Sequence, residues 1–211
     1  MGKMDKHIMV VPVSDLFSLG GYFQGFRSHH EFDYESTVLS NHLHMRRGDA
    51  EEDHGHKQPI GYTFIVNPGE RKVFVYERSS SDQDYGERRL QGKLSMGVGG
   101  HIEPMDGAKN SIYESMLREV GEEVEIVGHV LNIHMFGYIN DDEDDVGKVH
   151  FGVAYIVETN ATEVRPRDSE MKKGMLVSVD ELESMVESSE AELEGWSRIG
   201  LPAIKQYFSQ L

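Results

Sequence analysis

The sequence has no cysteine, one tryptophan and six prolines among 211 residues. Without thiols there can be no disulfide, no thiolate metal site and no cysteine nucleophile, and a cytoplasmic location is the expectation. Positive charge is also scarce: 21 lysines and arginines stand against 37 aspartates and glutamates, a formal net charge of −16. That balance argues against the broad phosphate-backbone footprint of a nucleic-acid binder, so no polymeric nucleic acid is expected as a partner. A local site for a small phosphorylated ligand stays open. No apolar run approaches the roughly 18 residues of a membrane span, and the opening MGKMDKH leads into no signal-peptide core, so no membrane partner is expected. No repeat, low-complexity tract or Gly/Ser linker divides the chain, and 38% hydrophobic content suits one sizeable soluble domain with an extension.

The chemistry concentrates in Gly97–Ile126, GVGGHIEPMDGAKNSIYESMLREVGEEVEI. It reads as a glycine-rich loop feeding a helix. Glu119, Glu122 and Glu123 fall at i, i+3 and i+4 and project from one side. At about 100° per residue, with Glu119 at zero, the carboxylates lie within roughly −60° to +40°. Met116, Tyr113, Val124 and Leu117 lie near +60° to +160°, with Val120 in the same stripe, so acidic and core faces are expected to be separate. Like charges so placed repel unless a cation neutralises them. Mg²⁺ is the natural candidate, since it prefers oxygen ligands and is held by one or two carboxylates plus substrate phosphates. The adjoining glycines would let backbone N–H groups approach those phosphates. An isolated EVGEE would read as solvated surface. A dinucleotide-binding reading of GVGG fails, because the spacing is not G-x-G-x-x-G and acids stand where a pyrophosphate would sit.

The order of these parts resembles the Nudix box, G-x5-E-x7-R-E-U-x-E-E-x-G-U, whose second half appears here as Arg118, Glu119, Val120, Gly121, Glu122, Glu123, Val124, Glu125 and Ile126. Glu125 replaces the late glycine. Ser111 followed by Glu114 reads as a capping box that fixes the helix start, which puts Asn110 at the box's first Glu position. Counting forward from Gly100 puts Asp106 there instead, so about four extra residues separate loop from helix. RLQGKLSMGVGGHI also resembles a subset of MutT-type phosphoesterases, extending the similarity over nearly the whole chain.

Elsewhere the readings are local. Ile8–Pro12 is a strand candidate, and the aromatics of Leu19–Phe26 are expected in the core. Residues 28–58, with His29, His30, His42, His44, His54, His56, Glu52 and Asp53, read as an exposed polar loop, because their spacing does not match a structural zinc site. Residues 60–66 and 72–78 form a hairpin about Asn67-Pro68-Gly69. Arg78, Arg88, Arg89 and Lys93 are the concentrated positive charge, able to meet a diphosphate or to pair with surface acids. Two strands over 127–138 and 149–158 flank an acidic loop, 140–147, that lacks calcium-loop spacing and reads as solvated. Glu170 precedes a further strand, Ser178 or Asp180 can cap the following helix, and a last helix runs over Leu201–Phe208 with Trp196 as anchor.

The resemblance implies an α/β fold, an α/β/α sandwich with a mixed sheet, in which residues 1–58 extend a domain at 59–211. It implies hydrolysis of a diphosphate linkage in a nucleoside diphosphate derivative with Mg²⁺ or Mn²⁺, and a homodimer. Its implied metal ligands are Glu119, Glu122, Glu123 and the Gly100 carbonyl, with Arg118 orienting a carboxylate. Gly99, Gly100, Arg78 and Lys93 would face the substrate, and Glu122, Glu119 or Glu170 would be the base. A Nudix-fold isomerase of isopentenyl diphosphate would be expected to use a cysteine that is absent. An inactive nucleotide-binding or regulatory module is the alternative: Asn110, the longer loop and Glu125 favour it, whereas the intact acidic cluster opposes it.

Overall fold

The computed structural model describes residues 2–79, 92–104 and 109–211. Its strands are β1 (His7–Pro12), β2 (Gly25–Ser28), β3 (Leu43–Arg46), β4 (His56–Asn67), β5 (Lys72–Arg78), β6 (Leu94–Ser95), β7 (Gly97–Val98), β8 (Val124–Ile126), β9 (Val130–Asn140), β10 (His150–Thr159), β11 (Val164–Pro166) and β12 (Met171–Ser178). The helices are α1 (Val13–Leu16), α2 (Tyr34–Asn41), α3 (Arg47–Ala50), α4 (Ser111–Glu123), α5 (Asp145–Val149), α6 (Val179–Glu187) and α7 (Gly195–Ser209). The main sheet runs β12-β5-β4-β10-β9-β2. The class expected from the sequence, α/β with a mixed sheet and helices, is the one observed.

The chain divides into two compact units, the first Met1–Tyr62, Gly99–Glu119 and Met135–Tyr155, the second Thr63–Val98, Val120–His134 and Ile156–Leu211. In the first, β1 is apolar throughout its middle and pairs antiparallel with β3 and with Lys57 and His56 of β4. Phe23, Tyr34, Tyr138 and Phe151 pack there as a buried aromatic cluster, so Phe23 meets its expected core role. Leu19 and Tyr22 of the same segment are exposed.

Residues 28–58 are not the loop expected. They hold α2, β3 and α3, and Asp33 caps α2 by accepting from the Ser36 amide at 2.9 Å. Polar residues conceal such a helix, because its face buries only Tyr34 and Val38. The acidic loop 140–147 is also less solvated than its composition implies. Asp141 is buried and accepts from Gln24 Nε2 at 2.7 Å, while Asp142 accepts from buried Lys57 at 2.5 Å and from the Tyr22 hydroxyl at 2.9 Å. Burial pulls the Lys57 ammonium below its ordinary pKa, and Asp142 partly offsets that pull.

In the second unit the core is Ile65, Phe74, Tyr76, Val98, Val124, Val157, Val164 and Met171, with Val120 and Ile126 packed against it. The hairpin expected between β4 and β5 is present, closing with Val66 opposite Val73 and Asn67 opposite Lys72. Asn67 Oδ1 accepts from the Glu70 amide at 3.0 Å, the local bond that makes asparagine a turn residue. Ser178, not Asp180, caps α6 in a capping box with Glu181. The last helix begins at Gly195 and carries Pro202 inside it, earlier than the Leu201 start read from the sequence.

Candidate active site and an imidazole cluster

The glycines before α4 are required by close approach. A Cβ on Gly99 would lie 2.1 Å from the Gly61 carbonyl oxygen, and one on Gly100 would lie 2.5 Å from the Glu119 carboxylate. The first contact is backbone on backbone. The second seats a carboxylate against bare main chain. Arg118 completes this cradle: its Nη1 donates to Glu119 Oε1 at 2.7 Å and its Nη2 to the His101 carbonyl at 3.2 Å. Arg118 therefore bonds to both Glu119 and the loop.

The helix start differs from expectation by one residue. Asn110, not Ser111, is the cap, its Oδ1 accepting from the Tyr113 amide at 3.0 Å. Asn110 Nδ2 donates to Glu35 Oε1 at 3.1 Å, and the Tyr155 hydroxyl donates to the same oxygen. Asp106 lies outside the described residues.

The core stripe expected on α4 holds at Met116, which is buried, and at Val120, which packs on the core of the second unit, but the sector of the carboxylates is itself buried one turn earlier. The buried residues Ile112, Ser115 and Met116 fall at roughly +20°, −40° and +60° from Glu119, the sector that the carboxylates occupy one turn later. Leu117, expected in the core stripe, is exposed, and Val124 belongs to β8. Glu119 and Glu123 are half-buried and Glu122 is exposed. In the second unit, the Glu123 carbonyl accepts from the Arg167 amide at 2.7 Å, and Arg167 Nη1 donates to the Gly121 carbonyl at 3.0 Å. These bonds satisfy carbonyls that the end of a helix leaves unpaired. They also bring the segment leading to Glu170 to the end of α4. The Glu170 amide donates to Asp168 Oδ1 at 2.8 Å, and its carbonyl accepts from the Ser79 amide at 2.7 Å.

The expected phosphate-facing cations already have carboxylate neighbours. Lys93 Nζ lies 2.6 Å from Glu192 Oε1 near the surface, and Arg78 Nε lies 3.4 Å from Glu194 Oε2, whose side chain is 6% exposed. Arg88 and Arg89 lie outside the described residues.

A second constellation, in the first unit, was not legible in the sequence. Glu51, His101 and His150 offer ligand atoms that all lie within 4.8 Å of one another. The two Nε2 atoms are 3.3 Å apart, His101 Nε2 is 2.7 Å from Gln58 Oε1, and His150 Nδ1 is 2.7 Å from the Val146 carbonyl. Burial pulls both imidazole pKa values down, with Arg47 adding to the effect; Glu51 opposes it at His150.

The NUDIX domain model matches residues 57–196. Protein YmaB of Bacillus subtilis (strain 168) is 38% identical over 206 residues, covering 94% of this chain and 97% of its own. The chain belongs to the Nudix family, and its enzyme class, a pyrophosphohydrolase, goes with that membership. Among solved structures, Tm1382, a putative Nudix hydrolase, has the same fold with a TM-score of 0.75 at 24% identity, covering 96% of this chain and 99% of that one. The Nudix domain of Shewanella oneidensis NrtR, solved in complex with ADP ribose, matches with a TM-score of 0.52 at 12% identity, covering 72% of this chain and 88% of that one. Among the described residues no helix is long and apolar enough to cross a membrane.

Proposed function

We propose that this protein hydrolyses a diphosphate linkage in a small nucleoside diphosphate derivative with Mg²⁺ or Mn²⁺, using residues 59–211 as the catalytic domain and 1–58 as an extension. The observation that carries the reading is the Glu119 carboxylate, seated against Gly100 and held by Arg118 on a helix that ends in Glu122 and Glu123. The donor set fits a hard divalent cation: carboxylate oxygens on successive turns of one helix, with the Gly100 main chain against the Glu119 carboxylate. Glu119, Glu122, Glu123 and that carbonyl would hold the ion, which when bound neutralises the diphosphate and lowers the pKa of the attacking water.

The chain's own residues then divide the work. Arg118 fixes Glu119 and does not touch substrate. The amides about Gly99 and Gly100 receive phosphate oxygens, as open glycine backbone can. Glu122, the most exposed of the three acids, takes the proton from water as its oxygen bonds to phosphorus and the bridging P–O bond breaks, with Glu119 and Glu170 the next candidates. Lys93 would exchange Glu192 for a phosphate. Arg78 would have to abandon nearly buried Glu194, so Lys93 is the better substrate contact.

The alternative, a nucleotide-binding module without turnover, draws on Asn110, which caps the helix and binds Glu35 where the Nudix box has its first acid. The test is Mg²⁺-dependent product release from nucleoside triphosphates, ADP-ribose, dinucleoside polyphosphates and nucleotide sugars, comparing wild type with Glu122→Gln. ADP-ribose belongs in the panel because the NrtR domain binds it. Turnover that disappears in the variant supports the hydrolase. No turnover with any compound, together with unchanged metal binding in the variant, supports the module.

A further inference from the structure

We propose that Glu51, His101 and His150 form a second metal site, for a zinc-class divalent ion, independent of the carboxylate site on α4. The ligands come from three places in the first unit: the C-terminal cap of α3, the residue after Gly100, and the first residue of β10. Their chemistry differs from that of α4, because two imidazoles and one carboxylate suit zinc and other borderline metals better than Mg²⁺.

The spacing fits such an ion. Two ligands of a tetrahedral zinc at about 2.0–2.1 Å stand about 3.3 Å apart, and the two Nε2 atoms are 3.3 Å apart. Protonation fits as well. His150 Nδ1 donates to the Val146 carbonyl, which leaves its Nε2 as a lone pair; a backbone carbonyl on the far ring nitrogen is the usual outer partner of a metal-bound histidine. Arg47 Nε, 3.2 Å from Glu51 Oε1, plays the corresponding part for the carboxylate and leaves it a second oxygen.

At the centre there are more acceptors than protons. His101 Nε2, His150 Nε2 and Gln58 Oε1 converge with one hydrogen to share. Gln58 is fully buried, and its Nε2 has no hydrogen-bond partner among the described residues, while its Oε1 faces His101. Such a convergence of lone pairs is a place for a cation. Binding takes the Nδ1–H tautomer of His101: the ring proton moves from Nε2 to Nδ1, the ring stays neutral, and the ion takes the vacated position among the three ligands. Because the His101 carbonyl accepts from Arg118, an ion here would also stiffen the loop residue that Arg118 grips.

The test uses the full chain stripped of metal and titrated with Co²⁺, whose intense visible bands report four-coordinate, nitrogen-containing sites. Wild type and Glu122→Gln should each take up one equivalent with those bands. Glu51→Gln should weaken that binding by at least about tenfold, the lower bound for loss of even an outer-shell partner, and His150→Ala should abolish it. Glu51 is partly exposed at a helix end, so Glu51→Gln decides the matter even if His150→Ala fails to fold, which circular dichroism would show. The proposal is overturned if wild type gives no such bands, if Glu51→Gln titrates like wild type, or if the bands vanish in Glu122→Gln and survive in Glu51→Gln.

Discussion

The acidic end of α4 and the imidazole cluster both gather side chains able to bind a cation, yet they are built in opposite ways. On α4 the carboxylates stand at i, i+3 and i+4, placed by the helix period with Arg118 bracing Glu119, and are partly open to solvent. In the cluster the ligand atoms are mostly nitrogens, brought from three distant segments, with His150 buried and each ligand held by a neighbour: Glu51 by Arg47, His101 by buried Gln58 and His150 by the Val146 carbonyl. A site built from one helix period can tolerate exposure, since the backbone positions it. A site built from separate segments depends on its packing. The two should therefore respond differently to the same kind of change.

The largest contrast is expected between neighbouring glycines. Gly100→Ala places a methyl 2.5 Å from the Glu119 carboxylate, the end of a side chain that yields more easily than backbone, at the cost of its bond to Arg118. Turnover should fall by about 10²-fold, the penalty of an ångström-scale misplacement, while the melting temperature barely moves. Gly99→Ala meets the Gly61 carbonyl at 2.1 Å, which cannot swing aside, and should cost about 1–3 kcal/mol of stability in denaturant unfolding. Equal effects on both readouts would erase the distinction between a functional and a structural glycine.

Acid should separate the two regions next. His101 and His150 have pKa values held below 6.5 in the folded protein, so below that pH the unfolded chain binds protons that the native state refuses. Stability of the metal-free protein should fall as pH drops from about 6.5 and be restored as it rises, the sign required when the unfolded state takes up more protons. Groups facing the pair include Arg47, Lys57 and Glu51. Replacing His150 with Asn should flatten that slope in urea titrations, whereas Glu122→Gln should leave it unchanged. The smallest effect is expected at the helix cap: Asn110→Ala should cost about 1 kcal/mol in thermal unfolding, and a loss of turnover out of proportion would give Asn110 a part in the chemistry.

The same comparison explains what could be read in advance. The helix that carries the carboxylates, the β4–β5 hairpin and the Ser178 cap depend on spacings of a few residues, and their places in the fold were legible. The burial of the carboxylate sector one turn earlier was not, because a helical projection discards position along the axis and so overlays buried Ser115 on Glu119. Glu51, His101 and His150 were missed because 49 residues separate the two histidines, and only pairing such as Ile60 with His101 brings them together. Histidines with visible local spacing drew attention instead, and of those His56 merely faces Asp53 at 2.9 Å. The signal overlooked in 28–58 was Asp33 three residues before Ser36, a cap on a helix with too few apolar residues to announce itself.

The measurement that bears most directly on the account is Mg²⁺-dependent hydrolysis by wild type, Glu122→Gln and Glu51→Gln, each verified as folded and assayed on the best substrate of the panel. Turnover should disappear in Glu122→Gln and persist within a few-fold in Glu51→Gln. Full turnover in Glu122→Gln would contradict the proposed function.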